Sequence, residues 1–203
     1  MKIACLDFEG VLVPEMWLAV ADKYNEDGLR ITTRDIPDYR ELMRIRLDVM
    51  AKRGLTIHDV QSAIAGLDPL PGAQEFLDWL RPRFQVAIIS DTFYEFAAPL
   101  VAKLGFPMIL CHRLDVEDNG NIADIRLRQE DPKRHSVLAF QSLKYKVVAT
   151  GDSYNDTTML KTADAGILFQ PSQRVIDDFP EIPVALTYEE LKTFFSDAAA
   201  RLN

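Results

Sequence analysis

Short apolar segments recur along the chain, and most of them do not alternate with polar residues. They are Ile3–Phe8, Val86–Ser90, Met108–His112, Val147–Thr150, Gly166–Phe169 and Val184–Leu186. Continuous apolar runs of this length are typical of strands that are buried on both faces of a parallel sheet. The pattern therefore predicts a mainly parallel sheet at the centre of the molecule.

Segments with helical periodicity separate most of these predicted strands. They are Ala73–Leu80, Phe96–Leu104, Arg134–Leu143 and Asp156–Ala163. Strands that alternate with helices indicate an α/β protein with a doubly wound, mainly parallel sheet. The turn sequence Glu117–Gly120 lies between two strand-like segments and predicts a tight hairpin.

One long segment near the N-terminus breaks this alternation. It has helical patterns at Met16–Tyr24, Arg40–Met50 and Ile57–Ala65 and no convincing strand, and it ends at the turn Asp68–Gly72. We interpret residues 14–70 as an inserted helical cap domain. Residues 1–13 and 71–203 would then form the α/β core domain.

Composition and charge limit the classes of function. The 203 residues are 48% hydrophobic and 27% charged, which is typical of a globular protein with a substantial core. The formal net charge of −8 repels nucleic acids and anionic membrane surfaces, so we expect neither as a partner. An anionic substrate would need a metal ion, a helix N-terminus or converging cations at the site itself.

The cysteines and the N-terminus indicate the compartment. Cys5 and Cys111 are the two cysteines and form no CxxC pair, so we expect two small buried side chains rather than a disulfide or a zinc site. The opening sequence does not resemble a signal peptide, and no apolar run is long enough to span a membrane. We therefore expect a cytoplasmic protein.

Carboxylates follow two of the predicted strands. Asp7 and Glu9 come after the first strand, and Asp152 and Asp156 lie in the Gly-Asp-Ser-Tyr-Asn-Asp sequence after the fourth. Open α/β sheets bind ligands at the carboxyl ends of their strands, and Mg²⁺ prefers oxygen ligands. The alternative is that these acids only cap the helices that follow.

Two helix starts are candidates for binding a phosphate. Thr92 and Glu95 have the spacing of a capping box, which predicts a helix N-terminus beside Ser90. Pro132 predicts a second helix start, and Lys133 would add an ammonium group there. A lone serine or lysine in such a position is more often structural.

The ordered set of motifs resembles a known family. Asp-Phe-Glu-Gly-Val after the first strand, Ser-Asp-Thr after the second, Lys133 and Gly-Asp-Ser-Tyr-Asn-Asp resemble the four motifs of the haloacid dehalogenase-like (HAD) phosphohydrolase superfamily. The cap segment Leu42–Met50 is similar to that of the phosphoserine phosphatases. The segments RDIPDY and SDTFYEF resemble the bacterial branch of phosphoserine phosphatase/homoserine phosphotransferases. Glu9 in place of Asp, and Ser-Asp-Thr in place of Ser-Gly-Gly, depart from the commonest phosphatase pattern.

The resemblance implies a reaction through a phosphorylated aspartate. Asp7 would be the nucleophile, and Glu9 would be the general acid and base. The implied cofactor is Mg²⁺, held by Asp7, by the backbone carbonyl of Glu9 and by Asp152, with Asp156 orienting a metal-bound water. Each of these roles is an expectation from the family.

The resemblance also implies how the substrate is held. The residues expected to contact it are Ser90, Asp91, Thr92, Lys133 and Asn155 around the phosphoryl group, with Glu15 for an ammonium group and Arg46 for a carboxylate. Arginine suits a carboxylate because its planar group can bond it at two points. Phe8, Trp17 and Met43 would line the pocket, or simply pack in the core.

The implied substrate is O-phospho-L-serine, with water or L-homoserine as the phosphoryl acceptor. Alternatives are a HAD phosphatase for another small phosphometabolite, a receiver-like signalling module that keeps its phosphoaspartate, and an inactive binding protein. Oligomeric state, including a homodimer, is left open. His58, His112 and His135 show no spacing of a metal site or triad, so we predict surface or half-buried side chains without a role.

Overall fold

Seven strands of the computed structural model form one sheet, and the structure describes residues 1–32, 35–36 and 38–202. The strands are β1 (Lys2–Leu6), β2 (Gln85–Phe93), β3 (Met108–Val116), β4 (Ile122–Arg126), β5 (Lys146–Gly151), β6 (Ala165–Phe169) and β7 (Val184–Ala185). Their order is β4-β3-β2-β1-β5-β6-β7, and every neighbouring pair is parallel except β3 and β4. The predicted doubly wound, mainly parallel α/β fold is confirmed.

Helices cover both faces of this sheet. Those in the described residues are α1 (Met16–Tyr24), α2 (Tyr39–Arg53), α3 (Ile57–Ile64), α4 (Ala73–Leu80), α5 (Tyr94–Lys103), α6 (Pro132–Ser142), α7 (Thr157–Thr162), α8 (Gln173–Asp178) and α9 (Tyr188–Arg201). Helix α2 is longer than predicted because Asp38 caps its first backbone N–H groups and Gly54 ends it in a left-handed conformation.

Successive residues of the central strands point to opposite faces and enter two separate cores. In β1, Ala4 and Leu6 belong to the larger hydrophobic cluster, which includes residues of α1 to α5 and α9. Ile3 and Cys5 belong to the smaller cluster beneath α6, α7 and α8. Burial on both faces is why the strand sequences are apolar without alternation.

Helices α1, α2 and α3 are the predicted insertion between β1 and α4. Helix α1 packs on α3, and α3 packs on α5. The segments that leave and re-enter the sheet are joined by a hydrogen bond from the Leu70 backbone N–H to the Leu12 carbonyl, at 2.9 Å. The division into a core of residues 1–13 and 71–203 and a cap of residues 14–70 stays a prediction.

Several smaller predictions can be compared with the structure. The hairpin is confirmed, since β3 and β4 pair antiparallel on either side of the turn that contains Glu117–Gly120. Cys5 and Cys111 are free and buried, as predicted. Among the described residues, no helix is both long and apolar enough to cross a membrane. Arg34 and Pro37 of the RDIPDY segment lie outside the described residues.

The predicted capping box at Thr92 is wrong. Strand β2 continues to Phe93, so α5 begins only at Tyr94 and its N-cap makes no side-chain hydrogen bond. The Glu95 carboxylate accepts a hydrogen bond from the Leu114 N–H of β3, at 3.1 Å, instead of turning back to Thr92. A neighbouring strand thus competes successfully for the carboxylate, and the helix N-terminus is displaced from Ser90.

Candidate active site

A buried lysine joins the ends of β1 and β5. The Lys133 Nζ lies 2.9 Å from an oxygen of Asp7 and 2.7 Å from an oxygen of Asp156, and all three side chains are buried. Burial alone would lower the pKa of Lys133, but the charges of Asp156, Asp7 and Asp91 outweigh it and raise that pKa well above its usual range. Lys133 is therefore a permanent cation inside the site.

Local sequence explains why these groups meet. Strands β1 and β5 are paired neighbours, so Asp7 and Asp152, which follow them directly, lie at the same edge of the sheet. Asp156 accepts hydrogen bonds from the backbone N–H groups of Asp152 and Ser153, at 3.0 and 3.1 Å. Gly151 is required for this turn, because a Cβ there would lie 2.2 Å from the Asp156 carboxyl carbon. Asp156 is thus both a helix cap and a partner of Lys133.

Three carboxylates at this edge form a cluster that fits a cation. Oxygens of Asp7, Asp152 and Asp156 all lie within 4.8 Å of one another. Burial and the negative charge of Asp156 raise the pKa of Asp152 to about 7, and the same two causes raise the pKa of Asp7 well above its usual range. The three carboxylates carry more negative charge than the single positive charge of Lys133 can neutralise. Hard oxygen donors with uncompensated charge suit a divalent ion such as Mg²⁺.

Glu9 is held by the N-terminus of the first helix. Its Oε1 accepts a hydrogen bond from the Met16 backbone N–H at 2.7 Å, in the first turn of α1. Burial raises the pKa of Glu9 to about 8, with a further contribution from the charge of Glu15, against the opposing effects of Met16, Arg46 and Lys133. The carboxyl group is consequently protonated at neutral pH, in the form that can donate a proton.

Arg46 lies buried in the wall of the site, although an arginine on a helix of this kind is usually solvated. Its guanidinium stacks on the Trp17 ring at 4.6 Å from the centroid, and Nη2 donates to the Ile31 carbonyl at 2.5 Å. The Nε–H is buried and has no hydrogen-bond partner among the residues that the structure describes. A buried donor without a partner is costly, and a ligand carboxylate would satisfy it.

These groups border one cavity of about 310 Å³ between the insertion and the sheet. Glu15, which is exposed and directly precedes α1, and Trp17 of α1 line it on one side. Tyr39 and Arg46 line it from α2. The residues lining it from the sheet side are Asp7, Glu9, Ser90, Asp91, Thr92, Lys133, Asp152, Ser153 and Asn155. Phe8 and Met43 are fully buried and do not line the cavity, so they pack in the core.

The second strand brings polar groups to the floor of the cavity. Ser90 and Thr92 are both buried, and the Thr92 N–H donates to the Ser90 Oγ at 3.2 Å. An oxygen of Asp91 accepts from the Asn155 amide nitrogen at 2.9 Å. Burial alone would raise the pKa of Asp91, but Lys133, His112 and Asn155 outweigh it and bring that pKa to about 2.

The structure contradicts one prediction for the histidines and adds a residue to the site. His58 and His135 are exposed, as predicted, but His112 is buried beside Asp91 and packs against the rings of Tyr39 and Phe93. The sequence did contain one sign of this position: His112 ends the apolar segment Met108–His112, just as Ser90 ends the apolar segment Val86–Ser90. The pairing register of β2 and β3 places His112 opposite Phe93. This register cannot be read from the sequence.

Comparison with known proteins identifies the family. A family model described as haloacid dehalogenase-like hydrolase matches residues 5–161, which is most of the chain and includes Asp7, Lys133 and Asp156. The chain belongs to the haloacid dehalogenase-like hydrolase family. The resemblance stated from the sequence motifs is thereby confirmed, and the protein is a hydrolase by family.

Individual relatives of this hydrolase cover its whole length. It is 58% identical over 99% of the chain to a Pseudomonas aeruginosa protein named phosphoserine phosphatase ThrH, covering 98% of that protein. It is 57% identical over 99% of the chain to a Pseudomonas syringae protein named phosphoserine phosphatase, covering 85% of that protein. A solved structure described as a substrate-bound phosphoserine phosphatase complex superposes with a TM-score of 0.80 at 23% identity, over 95% of this chain and 97% of the other, and shows the shared fold.

Proposed function

We propose that this hydrolase is a Mg²⁺-dependent phosphoserine phosphatase that also transfers the phosphoryl group to L-homoserine. The observation that carries the proposal is that one cavity has the buried Asp7–Lys133 pair on one side and, on another, the Nε–H of Arg46, which has no partner within the described part of the chain. The names of the two relatives at 58% and 57% identity support phosphoserine as the substrate.

The first half-reaction uses Asp7 and Glu9. The Asp7 carboxylate attacks the phosphorus, an aspartyl phosphate forms, and the bond from phosphorus to the serine oxygen breaks. Glu9, protonated at neutral pH, gives its proton to that oxygen. Lys133 contacts Asp7, the residue that receives the phosphoryl group. The positive charge of Lys133 therefore also stabilises the phosphoryl oxygens during transfer.

The second half-reaction reverses the role of Glu9. The ionised carboxylate takes the proton of the acceptor hydroxyl, from water or from L-homoserine, as that oxygen attacks the phosphorus. The bond between phosphorus and Asp7 then breaks, and the free carboxylate is restored. Ser90, Thr92 and Asn155 are proposed to hold the phosphoryl oxygens, since all three line the cavity floor.

Asp7, Asp152 and the backbone carbonyl of Glu9 are proposed to hold Mg²⁺, with Asp156 beside them. When bound, the ion would neutralise the excess negative charge that otherwise opposes the approach of a phosphate dianion. One oxygen of Asp156 accepts a hydrogen bond from Lys133, and the other accepts from the backbone N–H groups of Asp152 and Ser153. We therefore propose that the main role of Asp156 is to orient Lys133 and to stabilise the turn.

The insertion supplies the recognition of an amino acid. Arg46 is proposed to bind the substrate carboxylate and Glu15 its ammonium group, since they line the same cavity as Asp7. A homodimer and a cytoplasmic location stay predictions.

Product analysis by ³¹P NMR tests the proposed reaction. The purified protein is incubated with O-phospho-L-serine and Mg²⁺, with and without L-homoserine. We expect free phosphate without homoserine and phosphohomoserine in its presence. Phosphate alone in both samples would leave a phosphatase without transferase activity, and the absence of either product would refute the proposed substrate.

Replacement of Arg46 tests the carboxylate contact separately. Arg46→Met keeps an apolar chain on Trp17 but removes the guanidinium, so we expect kcat/KM for phosphoserine to fall about 100-fold, as for loss of a buried charge partner. Turnover of p-nitrophenyl phosphate, which has no carboxylate, should change less than about threefold. The matched control is Arg44→Met, an exposed arginine on the same helix. Equal losses on both substrates would show that Arg46 does not bind the carboxylate.

A further inference from the structure

His112 stands outside the reaction described above, yet it is part of the same polar network. It lies in β3, its side chain is 3% exposed, and it packs against the rings of Tyr39 and Phe93 at 6.2 and 6.1 Å between centroids. A buried polar ring needs partners for both nitrogens. The two partners of His112 define what it can do.

One hydrogen bond fixes the tautomer of the imidazole. The Arg128 backbone N–H donates to the His112 Nδ1 at 3.1 Å, so Nδ1 is unprotonated and the neutral ring carries its proton on Nε2. The Nε2 faces an oxygen of Asp91 at 3.7 Å, which is an electrostatic contact somewhat longer than a hydrogen bond. His112 therefore presents an N–H dipole to the Asp91 carboxylate.

Asp91 is held from several directions. Its second oxygen accepts from the Asn155 amide at 2.9 Å and lies 3.8 Å from the Lys133 Nζ. Its backbone carbonyl accepts from the Tyr39 hydroxyl at 2.6 Å. An ionised carboxylate in this position repels a phosphate oxygen, so contact with its neighbours is a better assignment for Asp91 than direct phosphate binding.

The position of Asp91 matters because Lys133 is so close. Lys133 already forms short ion pairs with Asp7 and Asp156. If the Asp91 carboxylate were free to move closer than its present 3.8 Å, it would form a third short ion pair and draw the ammonium group away from Asp7. It would also bring its negative charge nearer to the phosphoryl group, and it would release the Asn155 amide. All three changes oppose phosphoryl transfer.

We propose that His112 is a positioning residue that holds the Asp91 carboxylate away from Lys133 and so keeps Lys133 and Asn155 directed at the phosphoryl group. This inference deepens the proposed function and rests on it for the choice of substrate. His112 does not line the cavity that contains Asp7 and Arg46, and it acts through Asp91.

Two substitutions separate the partners of the ring. In His112→Asn the short amide oxygen replaces Nδ1 as acceptor for Arg128, but no donor reaches Asp91. In His112→Gln the longer side chain places an amide donor near the former Nε2, while the Arg128 contact is lost. We expect kcat/KM for phosphoserine to fall about tenfold in His112→Asn and to stay within about threefold of the native value in His112→Gln.

A double-mutant cycle distinguishes positioning from a structural effect. In an Asp91→Asn background the neutral amide has little attraction to Lys133, so we expect His112→Asn to cause no further loss. The inhibition constant of inorganic phosphate with Mg²⁺ should rise about tenfold in His112→Asn alone, and His135→Asn, at an exposed histidine, should leave every value unchanged.

The role of His112 can be tested even if phosphoserine is not the substrate. If the native protein turns over p-nitrophenyl phosphate but not phosphoserine, the proposed substrate fails and the same cycle is measured on the aryl phosphate. If it turns over neither, titration with inorganic phosphate gives the comparison. Equal losses in His112→Asn and His112→Gln, or an undiminished loss in the Asp91→Asn background, would overturn the inference.

Discussion

Gly10 shows how one residue determines the geometry of the carboxylate cluster. It has φ of +76°, and a Cβ at this position would lie 2.6 Å from the Asp152 carboxyl carbon. Real side chains do not approach so closely, so either the turn after β1 or Asp152 would have to move. The absent side chain thus allows the ends of β1 and β5 to approach each other.

We expect Gly10→Ala to abolish Mg²⁺ binding and activity. The matched control is Gly54→Ala, since Gly54 has φ of +65° but no atom within 4 Å of the added Cβ. Both variants should lose about 1–2 kcal/mol of unfolding free energy from the left-handed backbone, measured in urea. Calorimetric titration with Mg²⁺ should show loss of binding in Gly10→Ala alone. Unchanged binding in both would mean that Asp152 does not ligate the ion.

Glu9 allows a prediction that separates the two half-reactions. Glu9→Gln cannot transfer a proton, so kcat for phosphoserine should fall about 100-fold to 10,000-fold. The p-nitrophenolate group leaves without protonation, so its first turnover should persist as a burst followed by a slow steady state. Stopped-flow absorbance measures the burst, with Glu181→Gln, an exposed glutamate, as the control. A full steady-state rate would contradict the role of Glu9 as base.

The pKa of Glu9 also gives a direction for the pH dependence. Because burial raises this pKa to about 8, the proton donor is present below that pH and is lost above it. Single-turnover formation of the aspartyl phosphate from phosphoserine should therefore slow as pH rises through about 8. The burst with p-nitrophenyl phosphate, which needs no donor, should not slow, and a parallel decline of both would assign the titration to another group.

At the scale of elements, α2 matters because it carries two residues of the cavity. Tyr39 and Arg46 are seven positions apart, which is about two turns, so both lie on the face towards the sheet. Asp38 caps the helix by accepting from the Arg40 and Glu41 N–H groups at 2.9 and 3.1 Å. The cap fixes where the helix begins and hence where Tyr39 lies.

Asp38→Ala should therefore affect both stability and substrate binding. We expect a loss of about 1 kcal/mol of unfolding free energy, together with a higher KM for phosphoserine at nearly unchanged kcat for p-nitrophenyl phosphate. Thr187→Ala removes a comparable cap, the acceptor for the Glu190 N–H in α9, at a residue that does not line the cavity. It should lower stability alone, and an equal change of KM in both variants would refute the link through α2.

Comparison of elements explains what the sequence could predict. Helices α1 and α4 begin and end where the periodicity places them, because their amphipathic pattern is local. The capping box at Thr92 failed because Glu95 is bonded to a strand that is distant in sequence. His112 was missed for a related reason, since its role depends on register between β2 and β3. Motifs predicted which residues gather at the site, while contacts between elements decide how each is held.

At the scale of the whole molecule, the cavity depends on the relation between the insertion and the sheet. The returning segment near residues 65–68 is fastened to α5 by one side chain. The Lys103 Nζ donates to the Ala65 and Leu67 carbonyls at 3.1 and 2.5 Å and pairs with Asp68 at 2.9 Å. None of these residues lines the cavity, yet the contact joins α5 to the segment that connects α3 to the sheet.

Lys103→Met should loosen this connection without altering the catalytic groups. We expect the hydrogen-bonded backbone amides of Gly66, Leu67 and Leu70 to exchange hydrogen about tenfold faster, because the hydrogen bonds from Lys103 to the carbonyls of this segment are lost. The KM for phosphoserine, which requires Arg46 in place, should rise more than the KM for p-nitrophenyl phosphate.

The control for this prediction is Lys192→Met, which removes an ion pair with Glu189 on α9 of the kind that contributes little to stability. Exchange at Gly66, Leu67 and Leu70 and both KM values should then stay at native levels. Unchanged exchange in Lys103→Met would show that the other contacts of the insertion, such as the packing of α3 on α5 and the Leu70–Leu12 hydrogen bond, hold it without Lys103. If Lys103→Met instead shows both faster exchange and a higher KM for phosphoserine, binding of the amino acid depends on the Lys103 contact, which lies outside the cavity.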